Sequence, residues 1–318
     1  MNETAHDHDH EPDDEHEHEH GPLAELVTVR DWLRYAVTRF NRAHIFCGQG
    51  VSDTYDEAVW LILATLSLPL DRLEPFLDAC IPGDERVALF EAIERRTVDR
   101  VPTAYLVGEA WLGDFRFVVD ERVIVPRSFF AELLEDGFAP WIEDPERVTS
   151  ALDMCTGSGC LAVLMAHAYP NAEITAVDLS DDALDVARQN VADYGLEGKI
   201  ELVNSDVFDA LGERTYDLIL SNPPYVTAEA MDSLPAEYLH EPRMALAAGD
   251  DGLDVVRRLI AEGARHLNPG GILAVEIGHN RDIVETAFPD LPFNWLSTRG
   301  DDDMVFVLYR DDLPGAGS

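Results

Sequence analysis

The spacing of apolar residues changes near residue 103, and the change predicts two kinds of structure along the chain. From Leu23 to about Arg100, apolar residues recur every three or four positions, as in LVTVRDWLRYAVTRF, TYDEAVWLILATL and DERVALFEAIERRTVDRVP. This spacing is typical of helices that bury one face. We therefore predict a small helical domain over residues 22–102.

The next segment alternates aromatic and β-branched residues with polar ones. It reads TAYLVGEAWLGDFRFVVDERVIVPR over residues 103–127, with Gly113 and Asp114 near its centre. Alternation on both sides of such a turn predicts a β-hairpin. We expect residues 103–130 to connect the helical domain to a second domain.

Strand and helix patterns alternate from about Ala131 onward. Five apolar runs, TSALDMC, EITAVDL, KIELVNSD, TYDLIL and ILAVEIG, are typical of strands, and DDDMVFVLYR is expected to close the sheet. This alternation predicts an α/β fold whose mostly parallel sheet is covered on both faces. Residues 131–311 would form this domain and residues 312–318 a C-terminal tail. In such sheets, ligands bind beyond the carboxyl ends of the strands.

The charge of the chain narrows the kinds of partner that it can bind. Among 318 residues, 62 acidic residues outnumber 23 basic ones, the formal net charge is −39, and Lys199 is the only lysine. Attraction to a nucleic-acid backbone is therefore disfavoured, and no specific DNA binding is expected. A basic protein partner fits this charge, and so does a proteome that is acidic throughout because the cell lives in salt.

Residues 1–21 alternate acidic residues with histidines and have no periodic apolar face. This composition predicts disorder. The imidazoles could hold zinc or nickel weakly, but a solvated tail or a purification remnant accounts for them better, and no metal site is predicted. The histidines are His6, His8, His10, His16, His18 and His20.

The cysteines and the apolar runs predict a compartment. Cys47, Cys80, Cys155 and Cys160 lack CxxC spacing, and no secretory signal precedes them. These features predict a reduced, cytoplasmic compartment. No apolar run reaches the ~18 residues that a membrane helix requires. We therefore predict a soluble protein without a membrane partner.

The first predicted strand ends in a glycine-rich turn, LDMCTGSGC, that leads directly into a helix. Gly157 and Gly159 permit a tight turn and let a ligand approach without meeting a Cβ atom. A dinucleotide enzyme would also use such a turn, but the GxGxxG spacing is missing because only two glycines are present. A diphosphate site is therefore less favoured.

Carboxylates follow the next two predicted strands. Asp178 lies about twenty residues beyond the turn, where a carboxylate typically receives the two hydroxyls of a ribose. Its alternative role is to cap the following helix, although Ser180 is the better cap candidate. After the third strand, Asp206 could reach an adenine amine, with Val207 and Phe208 as an apolar wall. A structural turn explains Asp206 nearly as well.

The fourth strand ends in a rigid polar corner, SNPPYV, over residues 221–226. Pro223 and Pro224 fix their own φ angles and remove two backbone donors, and Pro223 also pushes Asn222 toward an extended conformation. Ending a strand requires much less, since a single glycine or asparagine suffices. The corner therefore predicts that the Asn222 side chain and nearby backbone acceptors point at a bound group.

The glycine turn, the two carboxylates and the NPPY corner stand in the order and spacing of class I S-adenosylmethionine methyltransferases. Over residues 23–310 the chain resembles the HemK group of protein glutamine N5-methyltransferases. The resemblance implies S-adenosylmethionine as cofactor, a Rossmann-like, seven-stranded, mostly parallel sheet, and an N-terminal helical domain that recognises the substrate. It places the cofactor on Asp153, Cys155, Thr156, Gly157, Ser158, Gly159, Asp178, Leu179, Asp206, Val207 and Asn222, and catalysis on Asn222, Pro223, Pro224 and Tyr225.

The NPPY corner also occurs in enzymes that methylate adenine N6, so it specifies an amino or amide nitrogen rather than one substrate. The segments DERVIVPRSFFAELL, YLVGEAWLGDFRF and EYLHEPRMALAAGDDGLD resemble the PrmB branch of the group, which modifies a glutamine of ribosomal protein L3. The PrmC branch, which modifies release factors, usually has PRPDTE where this chain has PRSFFAE. L3 is therefore the expected partner. The GGQ glutamine of release factors, an adenine-N6 nucleic-acid acceptor and a non-catalytic binding module are the alternatives.

A carboxamide nitrogen is a poor nucleophile because its lone pair is delocalised into the carbonyl group. We expect the side-chain oxygen of Asn222 and the backbone oxygen of Pro223 to accept its two N–H bonds, with Tyr225 packed on the flat amide. Methyl transfer would then be an in-line displacement in a pocket that excludes water. The pattern identifies no general base. Arg127 and Glu132 are expected to join the hairpin to the catalytic domain through ordinary salt bridges, with substrate contact as the alternative.

Overall fold

The computed structural model describes residues 21–299 and 302–316, so residues 1–20 of the N-terminal tail, for which disorder and no metal site are predicted, lie outside the described residues. The chain divides into two compact units. The first contains the described residues up to Ile45 together with Asp53–Asp99. The second contains Phe46–Ser52 and the chain from Arg100 onward. A short piece of the predicted helical domain therefore belongs to the second unit.

The first unit is helical, as the spacing of its apolar residues predicts. Thr28 and Asp31 form a reciprocal capping box at the start of the helix Val29–Ala43, and the Asp53 side chain caps the helix Thr54–Thr65. Trp32 and Phe40 are fully buried and supply the large rings of its core. Its α-helices are α1 (Pro22–Glu25), α2 (Val29–Ala43), α3 (Thr54–Thr65) and α4 (Gly83–Thr97).

The connector contains a shorter hairpin than the sequence predicts. The prediction of a strand was wrong for Thr103–Val107, which forms helix α5. Gly108 ends this helix with a φ of 75° and donates its N–H to Ala104 O, a left-handed cap that alternation of residue types does not reveal. Strands β1 (Glu109–Leu112) and β2 (Phe115–Val118) then pair antiparallel.

Seven strands form the central sheet of the second unit, which confirms the predicted fold class. The strand order is β5-β4-β3-β6-β7-β9-β8, and every pair is parallel except the two pairs that involve β9. The carboxyl ends of the parallel strands therefore meet at one edge of the sheet. The strands are β3 (Ser150–Met154), β4 (Glu173–Asp178), β5 (Ile200–Asn204), β6 (Tyr216–Ser221), β7 (Leu267–Glu276), β8 (Asn294–Ser297) and β9 (Asp302–Tyr309).

One edge of the sheet differs from the predicted one. The run DDDMVFVLYR was expected to close the sheet, but β9 lies between β7 and β8, and β8 is the edge strand. β8 has only four residues and follows Pro292 closely. A run that short shows too little alternation to be recognised as a strand.

Helices cover the sheet. Ser180 caps α8 by accepting the Ala183 N–H, which confirms it as the cap that the sequence favours. All four cysteines lie among the described residues, and none of them forms a disulfide. Among residues 21–299 and 302–316, no helix is long and apolar enough to cross a membrane. The helices of the second unit after α5 are α6 (Phe130–Glu135), α7 (Cys160–Ala168), α8 (Asp181–Asp193), α9 (Ala228–Met231), α10 (Asp254–Glu262) and α11 (Arg281–Ala287).

Candidate active site

A cavity of about 420 Å³ lies at the carboxyl ends of the parallel strands, and we call it the first cavity. Gly157, Asp178, Val207 and Asn222 line it, and each stands at or just beyond the end of a different neighbouring strand. Residues 121–124 of the connector line it as well. The first cavity is therefore the place where a ligand of this sheet is expected to bind.

The carboxylate of Asp178 is held in the first cavity by two backbone N–H groups. Gly157 N donates to Oδ2 at 2.8 Å, and Ser180 N donates to Oδ1 at 2.9 Å. Burial raises the pKa of Asp178 above its ordinary value, and these N–H groups oppose that rise. A carboxylate has about four acceptor positions, so Asp178 can also receive hydroxyl groups of a ligand.

Several residues of the glycine turn support it from behind. Asp153 is wholly buried and accepts the Thr156 hydroxyl at 2.5 Å, and burial raises the pKa of Asp153 to about 7. At Gly159, with a φ of 79°, an added Cβ would lie 3.1 Å from Ala187 Cβ, so α8 packs directly on the turn. Of the predicted cofactor residues, Cys155, Gly157, Asp178, Leu179, Asp206, Val207 and Asn222 line the first cavity, whereas Asp153, Thr156, Ser158 and Gly159 do not line it and shape the turn instead.

Two residues on the wall of the first cavity have left-handed backbone conformations without being glycine. Cys155 has a φ of 66° and Val207 a φ of 50°. This conformation is costly for a β-branched residue such as valine. Strain of this kind concentrates at ligand sites, where the surrounding structure holds it in place. The residue types at these positions do not reveal it.

Asp206 lines the first cavity, but its carboxylate is already paired. Arg258 Nη1 lies 2.8 Å from Asp206 Oδ1. Phe208 does not line the cavity, so its prediction as part of the apolar wall was wrong. Its ring stacks on His266 with centroids 4.4 Å apart and belongs to the hydrophobic core. Val207 belongs to the same core cluster but also lines the cavity.

A second cavity, of about 760 Å³, is also lined by the NPPY corner. Pro223 and Tyr225 line the second cavity, Pro224 lines the first, and Asn222 lines both. The corner is therefore the wall that the two cavities share, and Asn222 is positioned to act on groups in either one.

The orientation of the Asn222 amide is set by one hydrogen bond. Its Nδ2 donates to the backbone oxygen of Arg127 at 3.3 Å. The strand before it is fixed as well, because Ser221 Oγ donates to Met154 O at 2.9 Å in the interior. With the N–H group turned toward Arg127, Oδ1 of Asn222 remains as an acceptor.

Tyr225 is held through both its ring and its backbone. A Cβ atom added at Gly278 would lie 2.8 Å from the Tyr225 ring. A Cβ atom added at Gly252 would lie 2.4 Å from the backbone oxygen of Tyr225. Asn280 Nδ2 donates to that oxygen at 2.6 Å. Burial raises the pKa of Tyr225, so its phenol stays neutral at physiological pH.

Comparison with known proteins identifies relatives along most of the chain. The chain is 58% identical over 291 residues to the ribosomal protein uL3 glutamine methyltransferase of Neisseria gonorrhoeae. The matched segment covers 92% of this chain and 97% of that protein. Proteins of the same description from Bordetella pertussis and Bradyrhizobium diazoefficiens are 53% and 45% identical, over 91% of this chain in both cases and over 97% and 92% of theirs. The chain belongs to the uL3 glutamine methyltransferase family.

The family model of the methyltransferase small domain matches residues 140–249 of the chain. This part of the chain contains β3 to β6 and the NPPY corner. Solved structures that resemble the chain include the hMettl16 catalytic domain in complex with a MAT2A 3′UTR hairpin, with a TM-score of 0.48, 15% identity, and coverage of 72% of this chain and 83% of that one. A methyltransferase from Pyrococcus furiosus has a TM-score of 0.44, 16% identity, and coverage of 72% and 99%.

Two buried carboxylates of this family member escaped the sequence analysis. Glu241, 5% exposed, accepts both terminal nitrogens of Arg127 at 2.6 Å. Glu276 lines the second cavity and accepts Ser128 Oγ at 2.5 Å and Phe129 N at 3.1 Å. Burial raises the pKa of Glu276 to about 7. Its place at the carboxyl end of the predicted strand ILAVEIG could have revealed Glu276, but no local pattern marks Glu241.

Arg127 of the connector and Glu132 of α6 both form ion pairs within the second unit. Glu132 accepts the backbone N–H of Arg299 at 2.9 and 3.0 Å and lies 3.6 Å from its guanidinium group. Arg127 pairs with Glu241 and also lines the second cavity. The ion-pair interpretation therefore holds for both residues, and only Arg127 lies on a cavity wall.

Proposed function

We propose that this protein transfers a methyl group from S-adenosylmethionine to the side-chain amide nitrogen (N5) of a glutamine in the large-subunit ribosomal protein uL3, also called L3. The observation that carries the proposal is the position of Asn222, which lines both cavities in a chain that is 58% identical to a uL3 glutamine methyltransferase. One cavity then serves the cofactor and the other the glutamine.

The groups on the wall of the first cavity fit S-adenosylmethionine. The Asp178 carboxylate offers acceptors to paired hydroxyl groups, and a Cβ at Gly157 would meet nothing within 4 Å, so the turn is open to a ligand. Asp178 and Asp182, which both line the cavity, also make this wall acidic, which suits a positively charged ligand. When bound, S-adenosylmethionine supplies an electrophilic methyl group on a positively charged sulfur.

The NPPY corner supplies what a carboxamide acceptor requires. Oδ1 of Asn222 and the backbone oxygen of Pro223 accept the two N–H bonds of the glutamine amide, which orients its lone pair toward the first cavity. Tyr225 lines the second cavity and packs against the flat amide there. Because its ring is fixed at Gly278 and its oxygen at Asn280, the acceptor geometry is formed before substrate binds.

The environment of the corner strengthens these contacts. Proline at both central positions leaves no backbone N–H to compete for the acceptors, and the strand that leads into the corner is buried. Dipoles held in a site that excludes water act in a low dielectric and need little reorganisation during the reaction. Positioning, rather than a charged nucleophile, is therefore the main contribution of the chain.

The relatives favour uL3 over release factors as the substrate. Each of the three relatives compared is described as acting on uL3, and the chain spans 92% to 97% of their lengths. A strongly basic ribosomal protein also complements a net charge of −39, which disfavours a nucleic-acid acceptor. A ribosomal substrate places the reaction in the cytoplasm.

The proposal is tested by mapping the methyl group. Purified protein is incubated with labelled S-adenosylmethionine and uL3, and the product is digested and analysed by mass spectrometry. We expect one added methyl group on a glutamine side-chain nitrogen, and no transfer when that glutamine is replaced by leucine. Absence of transfer to uL3, or a methyl group on another residue type, would overturn the proposal.

A further inference from the structure

Residues 125–129 run beside the NPPY corner and are held from two sides by buried carboxylates. On one side, Glu241 accepts the Val125 N–H at 3.2 Å and both terminal nitrogens of Arg127 at 2.6 Å. On the other side, Glu276 accepts Ser128 Oγ and Phe129 N. The backbone carbonyl of Arg127 lies between these two anchors along the chain.

That carbonyl is the acceptor that orients Asn222. An asparagine amide can rotate by half a turn, which exchanges its oxygen and its nitrogen with little change in shape. In one orientation Oδ1 is available to an incoming amide N–H, whereas in the other an N–H group would face an N–H group. The bond from Asn222 Nδ2 to Arg127 O selects the first orientation, and at 3.3 Å it tolerates little displacement of the carbonyl.

Glu241 is built to hold Arg127 in one place. Its side chain is wholly buried, and besides the two bonds to Arg127 and the one from Val125 it accepts Gln49 Nε2 at 2.9 Å. The Arg127 guanidinium lies over the Tyr238 ring, 5.0 Å from its centroid. Charge-assisted bidentate pairs of this kind combine strength with directional precision. Glu241 lines neither cavity, so it does not contact a ligand in either one.

We propose that Glu241 is a positioning residue for the methyl transfer, acting through Arg127 to keep Oδ1 of Asn222 turned toward the glutamine amide. This inference rests on the proposed function, since it assigns the task of orienting the residue that accepts the substrate N–H. It adds that a carboxylate outside both cavities controls the reactive corner. Loss of the ion pair between Glu241 and Arg127 should slow the chemical step and leave cofactor binding intact.

The variant Glu241→Gln keeps the size of the side chain but places an N–H group against Arg127. We expect kcat for uL3 methylation to fall roughly 10- to 100-fold, the order expected when a reacting group is misplaced by about 1 Å. The Kd for S-adenosylmethionine and the KM for uL3 should stay within about twofold of the wild type. Unchanged kcat in a folded variant would overturn the proposal.

A double-mutant cycle separates positioning from general support of the fold. If Glu241 acts through Asn222, Glu241→Gln should lower kcat by no more than about twofold in an Asn222→Ala background, the usual limit for uncoupled changes. Single-turnover incubations read by mass spectrometry can follow such slow variants. An equal loss of kcat in both backgrounds would overturn the proposal. Inactivity of the wild type on uL3 would instead contradict the proposed function.

Two further variants guard the test. Glu201→Gln makes the same chemical change in an exposed bidentate pair with Arg214, at 2.7 and 3.1 Å, and should leave kcat unchanged. If the single variant fails to fold, Glu241→Gln combined with Arg127→Met removes the unpaired buried charge that would cause the failure. That pair should fold and still show the loss of kcat, and wild-type kcat in it would count against the proposal.

Discussion

The walls of the two cavities come from different parts of the sequence. The first cavity is built largely from consecutive strand ends, and each of its main groups follows a recognisable apolar run. The second is built from segments far apart in the chain, among them Phe46, Arg127, Tyr225 and Glu276. The ends of the neighbouring strands β6 and β7 contribute to it, and the buried carboxylates Glu241 and Glu276 bind residues outside the sheet. A ligand site formed by strand ends is therefore easier to predict from the sequence than one that depends on polar contacts between residues far apart in the chain.

The comparison is tested most severely at Asn222, which both cavities share. Asn222→Ala removes an acceptor that acts on the reacting amide, so kcat should fall by about 10²- to 10³-fold, the loss typical of a polar group removed from a reacting centre. The Kd for S-adenosylmethionine, measured by calorimetry, should change little. Wild-type turnover in this variant would remove Asn222 from the mechanism.

Asp178 tests the first cavity alone. Asp178→Ala should weaken binding of S-adenosylmethionine by about 1.5–3 kcal/mol, the range for a hydrogen bond to a charged group. The KM for uL3 at saturating cofactor should be unaffected, because Asp178 does not line the second cavity. Calorimetry that finds the wild-type Kd would show that this carboxylate does not hold the cofactor.

Gly278 tests the second cavity alone. Gly278→Ala places a methyl group 2.8 Å from the Tyr225 ring, so the ring must move and kcat should fall by about tenfold, consistent with a loss near 1.4 kcal/mol. Gly270→Ala is the matched control, because Gly270 also has a positive φ, 79°, but an added Cβ meets nothing within 4 Å. Equal activity in the two variants would show that the position of Tyr225 does not matter.

Glu276 tests a property apart from the reaction rate, the dependence of stability on pH. Its folded-state pKa is raised to about 7 from 4.5, so its contribution to stability is complete below pH 4.5 and is lost as pH rises to about 7. Glu276→Gln stays neutral throughout. Relative to this variant, the wild type should lose about 3 kcal/mol of unfolding free energy across that window, because a pKa rise from 4.5 to about 7 at about 1.4 kcal/mol per pKa unit implies a loss of this size. Denaturant unfolding at several pH values measures it, and parallel curves would contradict a raised pKa.

The sequence indicates the first cavity and the sheet because their signals are local. The alternation of elements predicts the sheet, and Asp178 and the NPPY corner each stand directly after a buried strand. By contrast, Arg127 and Glu241 are more than a hundred positions apart in the chain. The residue type at neither position predicts that the two residues pair. The short edge strand Asn294–Ser297 and the helix Thr103–Val107 escaped for a related reason, since each is too short for periodicity to separate helix from strand.

The most direct test of the proposed activity offers two substrates to one enzyme preparation. Equal concentrations of uL3 and a release factor carrying its GGQ loop are incubated with S-adenosylmethionine at matched salt, and the methylated glutamines are quantified by mass spectrometry. We predict preferential methylation of uL3, with an apparent affinity that weakens as salt rises because the partners carry opposite charge. Preferential methylation of the release-factor glutamine would contradict the proposed substrate.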